Sequence, residues 1–133
     1  MRVVFDTNIF ISALIFPDSA ADEALRKVIQ GEDQLIISKA ILDELLGVLA
    51  KKISRDREAL ARVAVLLADI GLLVRPVHKI NVLSDEADNR ILECAVTGKA
   101  NIIVTGDHGL LRLGNYLDIK IISLRSYLDY GEK

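Results

Sequence analysis

The chain has one cysteine, one methionine, two prolines and no tryptophan in 133 residues. A single thiol, Cys94, excludes an internal disulfide framework and a cysteine-rich zinc site. It falls within an apolar helical pattern, where cysteine serves as a small core residue. Aromatic residues make up only 5%, so the core has to be built from Ile, Leu, Val and Ala, which the hydrophobic total of 51% supplies. No apolar run approaches the roughly 18 residues that a membrane-spanning helix needs. The opening Met1-Arg2-Val3-Val4-Phe5-Asp6 lacks the layout of a secretory signal. The expectation is a cytoplasmic protein without membrane contact. A surplus of positive charge is also missing: the formal net charge is -2. That argues against broad, unassisted binding to DNA, although a bound divalent cation inverts the local charge at a carboxylate cluster. No linker rich in Pro, Gly or Ser interrupts the chain, so residues 1–133 read as one domain.

What is present is an alternation of short apolar runs and helical patterns. Strands are expected over 2–5, 34–37, 72–77, 101–105 and 119–122. Pro76 marks the third as an edge or a strand end. Helices are expected over 19–31, 39–52, 55–70, 85–98, 107–113 and 123–130, with Ser19 and Ser38 as N-caps and Gly31, Gly71 and Gly98 as stops. This order predicts an α/β fold of three layers, a central parallel sheet with helices on both faces. The charged run Lys51-Lys52-Ile53-Ser54-Arg55-Asp56-Arg57 reads as a solvated connection between two helices.

Two of the apolar runs stop at a carboxylate: Val3-Val4-Phe5-Asp6-Thr7-Asn8 and Ile103-Val104-Thr105-Gly106-Asp107. In open α/β sheets ligands bind beyond the carboxyl ends of the strands. Each Asp is open to a second reading, as the N-cap of a following helix. In Ser84 to Ala95, helical spacing puts Asp88, Ile91, Leu92 and Ala95 on one buried stripe, with Asp88 in the first turn. A carboxylate there reaches the strand tips, and the helix N-terminus favours its charge; a capping role for Asp88 also stands, while Asp85 or Ser84 serves as the cap. The fourth acid lies in Asp43-Glu44, where a helical wheel puts the two at opposite margins of the apolar face and does not choose between them. Oxygen-rich sites of this kind take hard cations such as Mg²⁺ or Mn²⁺. The two histidines, His78 and His108, have no metal-ligand spacing.

Taken together, the Asp6 segment, Ser38 to Leu46 with its acid, Asp88 to Ala95, and Ile103 to Asp107 resemble a PIN domain over nearly the whole chain. The resemblance is to toxins of toxin–antitoxin pairs, VapC-like ribonucleases. It implies a parallel sheet of strand order 3-2-1-4-5, which sets the Asp6 and Asp107 strands side by side. It implies a four-carboxylate site of Asp6, Glu44, Asp88 and Asp107, selecting Glu44 over Asp43, with Thr7, Asn8 and Thr105 as helpers. It implies a metal-dependent endoribonuclease using Mg²⁺ or Mn²⁺ on single-stranded RNA, a homodimer, and an antitoxin protein. Arg90, Lys39 and His108 are the side chains expected to meet the RNA backbone; a Lys/Arg-Asp type sequence is common where this chain has Asp107-His108.

Three other classes compete. A phosphatase of the haloacid dehalogenase type also opens with a strand ending in Asp, but needs a second Asp two residues on. This chain has Asn8, which cannot act as the acid. A receiver domain needs an Asp at the end of its third strand, and Leu72 to Val77 has none. A catalytically inactive RNA- or protein-binding module keeps the fold and uses the acids structurally.

Overall fold

The computed structural model describes residues 1–53 and 56–130. It has six strands: β1 (Arg2–Phe5), β2 (Gln34–Ser38), β3 (Gly71–Val74), β4 (Ile102–Val104), β5 (Asn115–Tyr116) and β6 (Ile119–Ile122). Seven helices complete the described residues: α1 (Thr7–Ile15), α2 (Ala20–Ile29), α3 (Lys39–Lys52), α4 (Arg57–Ile70), α5 (Glu86–Thr97), α6 (His108–Leu113) and α7 (Leu124–Asp129). The strands form one sheet in the order β3-β2-β1-β4-β6-β5. All neighbours pair in parallel except β5 and β6. The α/β class and the mostly parallel sheet are as the alternation predicts. The five expected strands are β1, β2, β3, β4 and β6, in the expected order.

Three details go beyond that expectation. The segment after Asp6 forms a helix, α1, for which the sequence reading gave no element. The two-residue strand β5 adds an antiparallel edge through a tight hairpin in which Leu117 and Asp118 both take positive φ, 46° and 69°. Such a turn matches strand twist but is usually written with Gly or Asn, so Leu117-Asp118 carries no turn signal. Strand β3 stops at Val74, short of the expected residue 77, because Pro76 cannot donate to a ladder and restricts Arg75 before it. The helix expected from residue 55 is described from Arg57, capped by Asp56, and the part of the Lys51–Arg57 connection at 54–55 lies outside the described residues.

The core centres on β1, where Val3, Val4 and Phe5 are buried. The few aromatic side chains are pooled there: Phe5 meets Phe10 at 5.6 Å and Tyr127 edge-on at 5.7 Å between ring centroids. Tyr127 is fully buried, and its hydroxyl donates to Asp33 Oδ2 at 2.6 Å. Asp33 also accepts from the Met1 ammonium at 3.0 Å. Cys94 is a core residue, its thiol pushed up to about 12 by burial. Two glycines are required by position. Gly31 follows α2 at φ 80°, the left-handed conformation that ends a helix without a Cβ clash. Gly98 lets the end of α5 lie against β2, where any Cβ would overlap Ile36. Among the described residues no helix is long and apolar enough to cross a membrane.

Candidate active site

The parallel register pairs Phe5 with Val104, so β1 and β4 end level with one another. Asp6 N–H extends the pairing by one bond, donating to Val104 O at 3.0 Å. Asp6 and Thr105 therefore leave the sheet side by side, where the strand order switches direction. Both are buried. The Thr105 hydroxyl donates to Asp6 Oδ2 at 2.6 Å and accepts from Asp107 N–H at 2.9 Å. Asp6 occupies the position before α1 without a capping hydrogen bond of regular geometry; its short bond is the one across the sheet, and the Asn8 N–H at the helix start is a weaker partner. Asp107, in contrast, does cap α6: its Oδ2 accepts from Leu110 N–H at 3.0 Å.

Helix α5 brings in Asp88. Its cap is Asp85, which accepts from Ala87 N–H at 2.8 Å and leaves Asp88 free of that duty. Asp88 is buried on the stripe with Ile91, Leu92 and Ala95, as spacing predicts. Helix α3 brings in Glu44, whose Oε2 accepts from the Thr7 hydroxyl at 2.7 Å. That contact distinguishes the two neighbouring acids, because Asp43 instead pairs with Lys39 at 2.6 Å on the exposed side of α3. Two threonine hydroxyls thus tie the acids into the strand ends: Thr7 to Glu44, and Thr105 to Asp6 and the Asp107 backbone.

Electrostatics mark the same place. Burial raises the Asp6 carboxyl above its ordinary range, with the Thr105 bond opposing and the charges of Asp107 and Glu44 adding to the rise. Asp88 is raised to about 7, first by burial, then by its hydrogen bond and repulsion with Asp107, with smaller contributions from Asp85 and Asp6. Asp107 is lowered, chiefly by the Leu110 N–H. Two carboxyls this close resist carrying two charges, so Asp88 is pushed up while Asp107 is held low. Among the described residues no three of His, Cys, Asp or Glu already stand as a ligand sphere. The donor set still fits a hard cation. It is made of oxygens only, neighbouring carboxylates raise Asp6 and Asp88, and Gly109 leaves the space open. A Cβ at Gly109 would stand 3.1 Å from Asp107 Oδ2 and 3.6 Å from Asp88 Oδ2.

A family model for the PIN domain matches residues 2–109, a span that holds all four acids. The chain belongs to the PIN domain family. A curated archaeal relative, "Uncharacterized protein MJ1680" of Methanocaldococcus jannaschii, is 31% identical over 132 residues, 94% of this chain and 84% of that protein. Among solved structures, VapBC2 from Rickettsia felis, bound to a DNA fragment from its promoter, superposes with a TM-score of 0.66 at 15% identity. The match covers 92% of this chain and 98% of that one. VapBC-1 from nontypeable Haemophilus influenzae gives 0.64 at 18% identity, over 94% and 99%. At these identities the two structures establish the shared PIN fold.

The remaining expected residues of this PIN domain are dispersed around the acids. Asn8 and His108 are exposed, His108 beside Asp107 at the start of α6. Lys39 is exposed in its pair with Asp43. Arg90 is held by Glu93 at 2.8 Å and by Ile80 O at 3.3 Å. The sequence reading passed over two buried residues of α5 that fix the preceding loop. Asn89 accepts from Leu83 N–H at 2.9 Å and donates to Leu83 O at 2.7 Å, and Glu93 accepts from Ile80 N–H at 2.9 Å. It also passed over Gly109. A polar residue on an apolar helical stripe was the available signal for Asn89 and Glu93.

Proposed function

We propose that this protein is a Mg²⁺- or Mn²⁺-dependent endoribonuclease acting on single-stranded RNA through Asp6, Glu44, Asp88 and Asp107. What carries the reading is the meeting of two buried carboxylates, Asp6 and Asp88, with the half-buried Asp107 at the ends of β1 and β4, while the exposed Glu44 is held beside them by Thr7; Thr105 ties in Asp6 and the Leu110 N–H ties in Asp107. Such a cluster is costly without a counter-charge, and PIN family membership supports nuclease chemistry for it. Bound cations would neutralise the phosphate and lower the pKa of the attacking water. Asp6, Asp88 and Asp107 would hold them, and Glu44 would hold a second ion or orient the water. Thr105 keeps Asp6 aimed and favours its charge; Thr7 holds Glu44 in place. Lys39, Arg90 and His108 would steer the RNA backbone.

The reading extends to a toxin of a toxin–antitoxin pair, working as a cytoplasmic homodimer restrained by an antitoxin protein. Likeness to the VapBC assemblies supports the partner protein. A catalytically inactive RNA- or protein-binding module is the second reading, favoured by the structural duty of Asp107 as the cap of α6. Incubation of single-stranded RNA with Mn²⁺ separates them. Wild-type protein is expected to cleave and Asp6→Asn protein to lose at least a hundredfold in rate, on the order of an essential electrostatic group. Equal cleavage by the two proteins would reject the site; binding without turnover by either would favour the module.

A further inference from the structure

A second concavity, of about 470 Å³, opens where β2 and β3 end. Its lining combines apolar residues, Ala40, Leu73, Val74 and Pro76, with three cations, Lys39, Arg75 and Arg90. Ser38 pairs with Val74 across the two strands, and β2 lies next to β1, so the cavity begins one strand spacing of about 5 Å from β1 and extends to the second. Ala40 stands one helical turn before Glu44 on α3. The cavity therefore neighbours the four acids without including any of them.

Its cations are unevenly committed. Lys39 is paired with Asp43 at the surface. Arg90 gives Nη2 to Glu93 and Ile80 O, but its Nε is buried with no partner. Arg75 is exposed and makes no ion pair or hydrogen bond among the described residues. The one acid in the lining, Glu93, is already balanced by Arg90 and by Ile80 N–H. The 14-residue helix α3 begins here, so the positive end of its dipole adds to the field. Apolar side chains beside one uncommitted positive charge, Arg75, in a volume within the usual range for small-ligand sites, match a nucleotide: a base for the apolar lining and a phosphate for Arg75.

We propose that this cavity holds one nucleotide of the RNA strand next to the scissile bond, its base against Ala40, Leu73 and Pro76 and its phosphate on Arg75. The inference rests on the nuclease reading of the four acids, and it adds Arg75 as a specificity-determining residue. An acidic peptide of a protein partner is the rival occupant, but it offers no flat apolar group joined to its charge.

The test uses full-length Asp6→Asn protein in EDTA, so that neither turnover nor metal intervenes. Adenosine monophosphate, adenosine and inorganic phosphate are titrated while backbone amides are followed by NMR. Adenosine monophosphate is expected to move the amides of Ala40, Leu73 and Arg75 and to bind at least tenfold tighter than either fragment. Adding Arg75→Ala should weaken it about tenfold, the loss of one charge-assisted hydrogen bond, with the thermal midpoint unchanged. Equal binding of inorganic phosphate, shifts confined to other residues, or an unchanged affinity in the Arg75→Ala protein would each overturn the proposal. So would a Glu- and Leu-rich peptide moving these amides where the nucleotide does not. A second arm compares short RNA with bis(p-nitrophenyl) phosphate in Mn²⁺, using protein with Asp6 intact. Arg75→Ala should lower the ratio of their kcat/KM values about tenfold; an unchanged ratio overturns the proposal. If neither substrate is cleaved, the nuclease reading falls and with it the placement beside a scissile bond. Nucleotide binding that persists would still support the pocket.

Discussion

Asp88→Asn should stabilise the metal-free protein at pH 8 and change it little at pH 4. Asp88 is only 7% exposed, and its carboxyl is raised from 3.8 to about 7 by burial and by Asp107. Between those values the folded protein keeps a proton that the unfolded chain has released, so stability falls as pH rises through this window. Above about pH 7 the folded state must hold the charge. The whole gap would correspond to about 4 kcal/mol. Because the proton belongs to the Asp88–Asp107 pair and Asp107 is half open to solvent, about 1–2 kcal/mol is the expected share. For a chain of this length that is roughly 3–8 °C in midpoint. Asparagine is uncharged at every pH and can still donate to Asp107. Thermal unfolding in EDTA from pH 4 to pH 8 should therefore show the variant drawing ahead of wild type as pH rises. Millimolar Mn²⁺ should reverse the order at pH 8, since a ligand that binds only the folded wild type stabilises it by mass action. A difference independent of pH, or a less stable variant at pH 8 in EDTA, would refute the reasoning.

Asp33 carries the opposite sign: hydrogen bonds from Tyr127 and the Met1 ammonium outweigh its burial and hold its carboxyl low. Its contribution is present at neutral pH and lost as pH falls below about 4, so Asp33→Asn should cost about 1–2 kcal/mol at pH 7 by denaturant titration and almost nothing at pH 2.5. Gly98→Ala forces a Cβ into Ile36 and should lower stability by about 1–3 kcal/mol with the far-UV spectrum retained. Gly109→Ala places a methyl 3.1 Å from Asp107 Oδ2; calorimetry should show Mn²⁺ affinity reduced about tenfold, on the order of one distorted ligand, with the midpoint in EDTA within about 2 °C of wild type.

The site was legible as far as periodicity and caps reach. Asp88 could be placed because a helix has one buried stripe and Asp85 already supplied its cap. Ser19 and Ser38 announced their helices and do cap them, accepting from Asp22 and Ile41 N–H. The choice between Asp43 and Glu44 was not in the wheel, because it depends on Thr7, which is 37 residues away in the chain from Glu44. The Lys39–Asp43 pair four residues apart was visible in the sequence and would have tied one of the two to the surface. Helix α1 escaped because Ile9, Ile11 and Ile15 are β-branched and no side chain caps its start; burial of Ile9 and Phe10 holds it instead. The β5–β6 hairpin escaped because its turn uses residues that local preference disfavours there.

The bond from Thr105 to Asp6 spans 99 residues. Asp6 is synthesised 99 residues before its partner. The strand that delivers Thr105, β4, is added beside β1 only after three strands and five helices have been made. A growing chain thus carries each acid in turn but never the assembled set. The grouping of the acids is a property of the completed fold alone: fragments, stalled chains and unfolded molecules hold the same carboxylates, scattered.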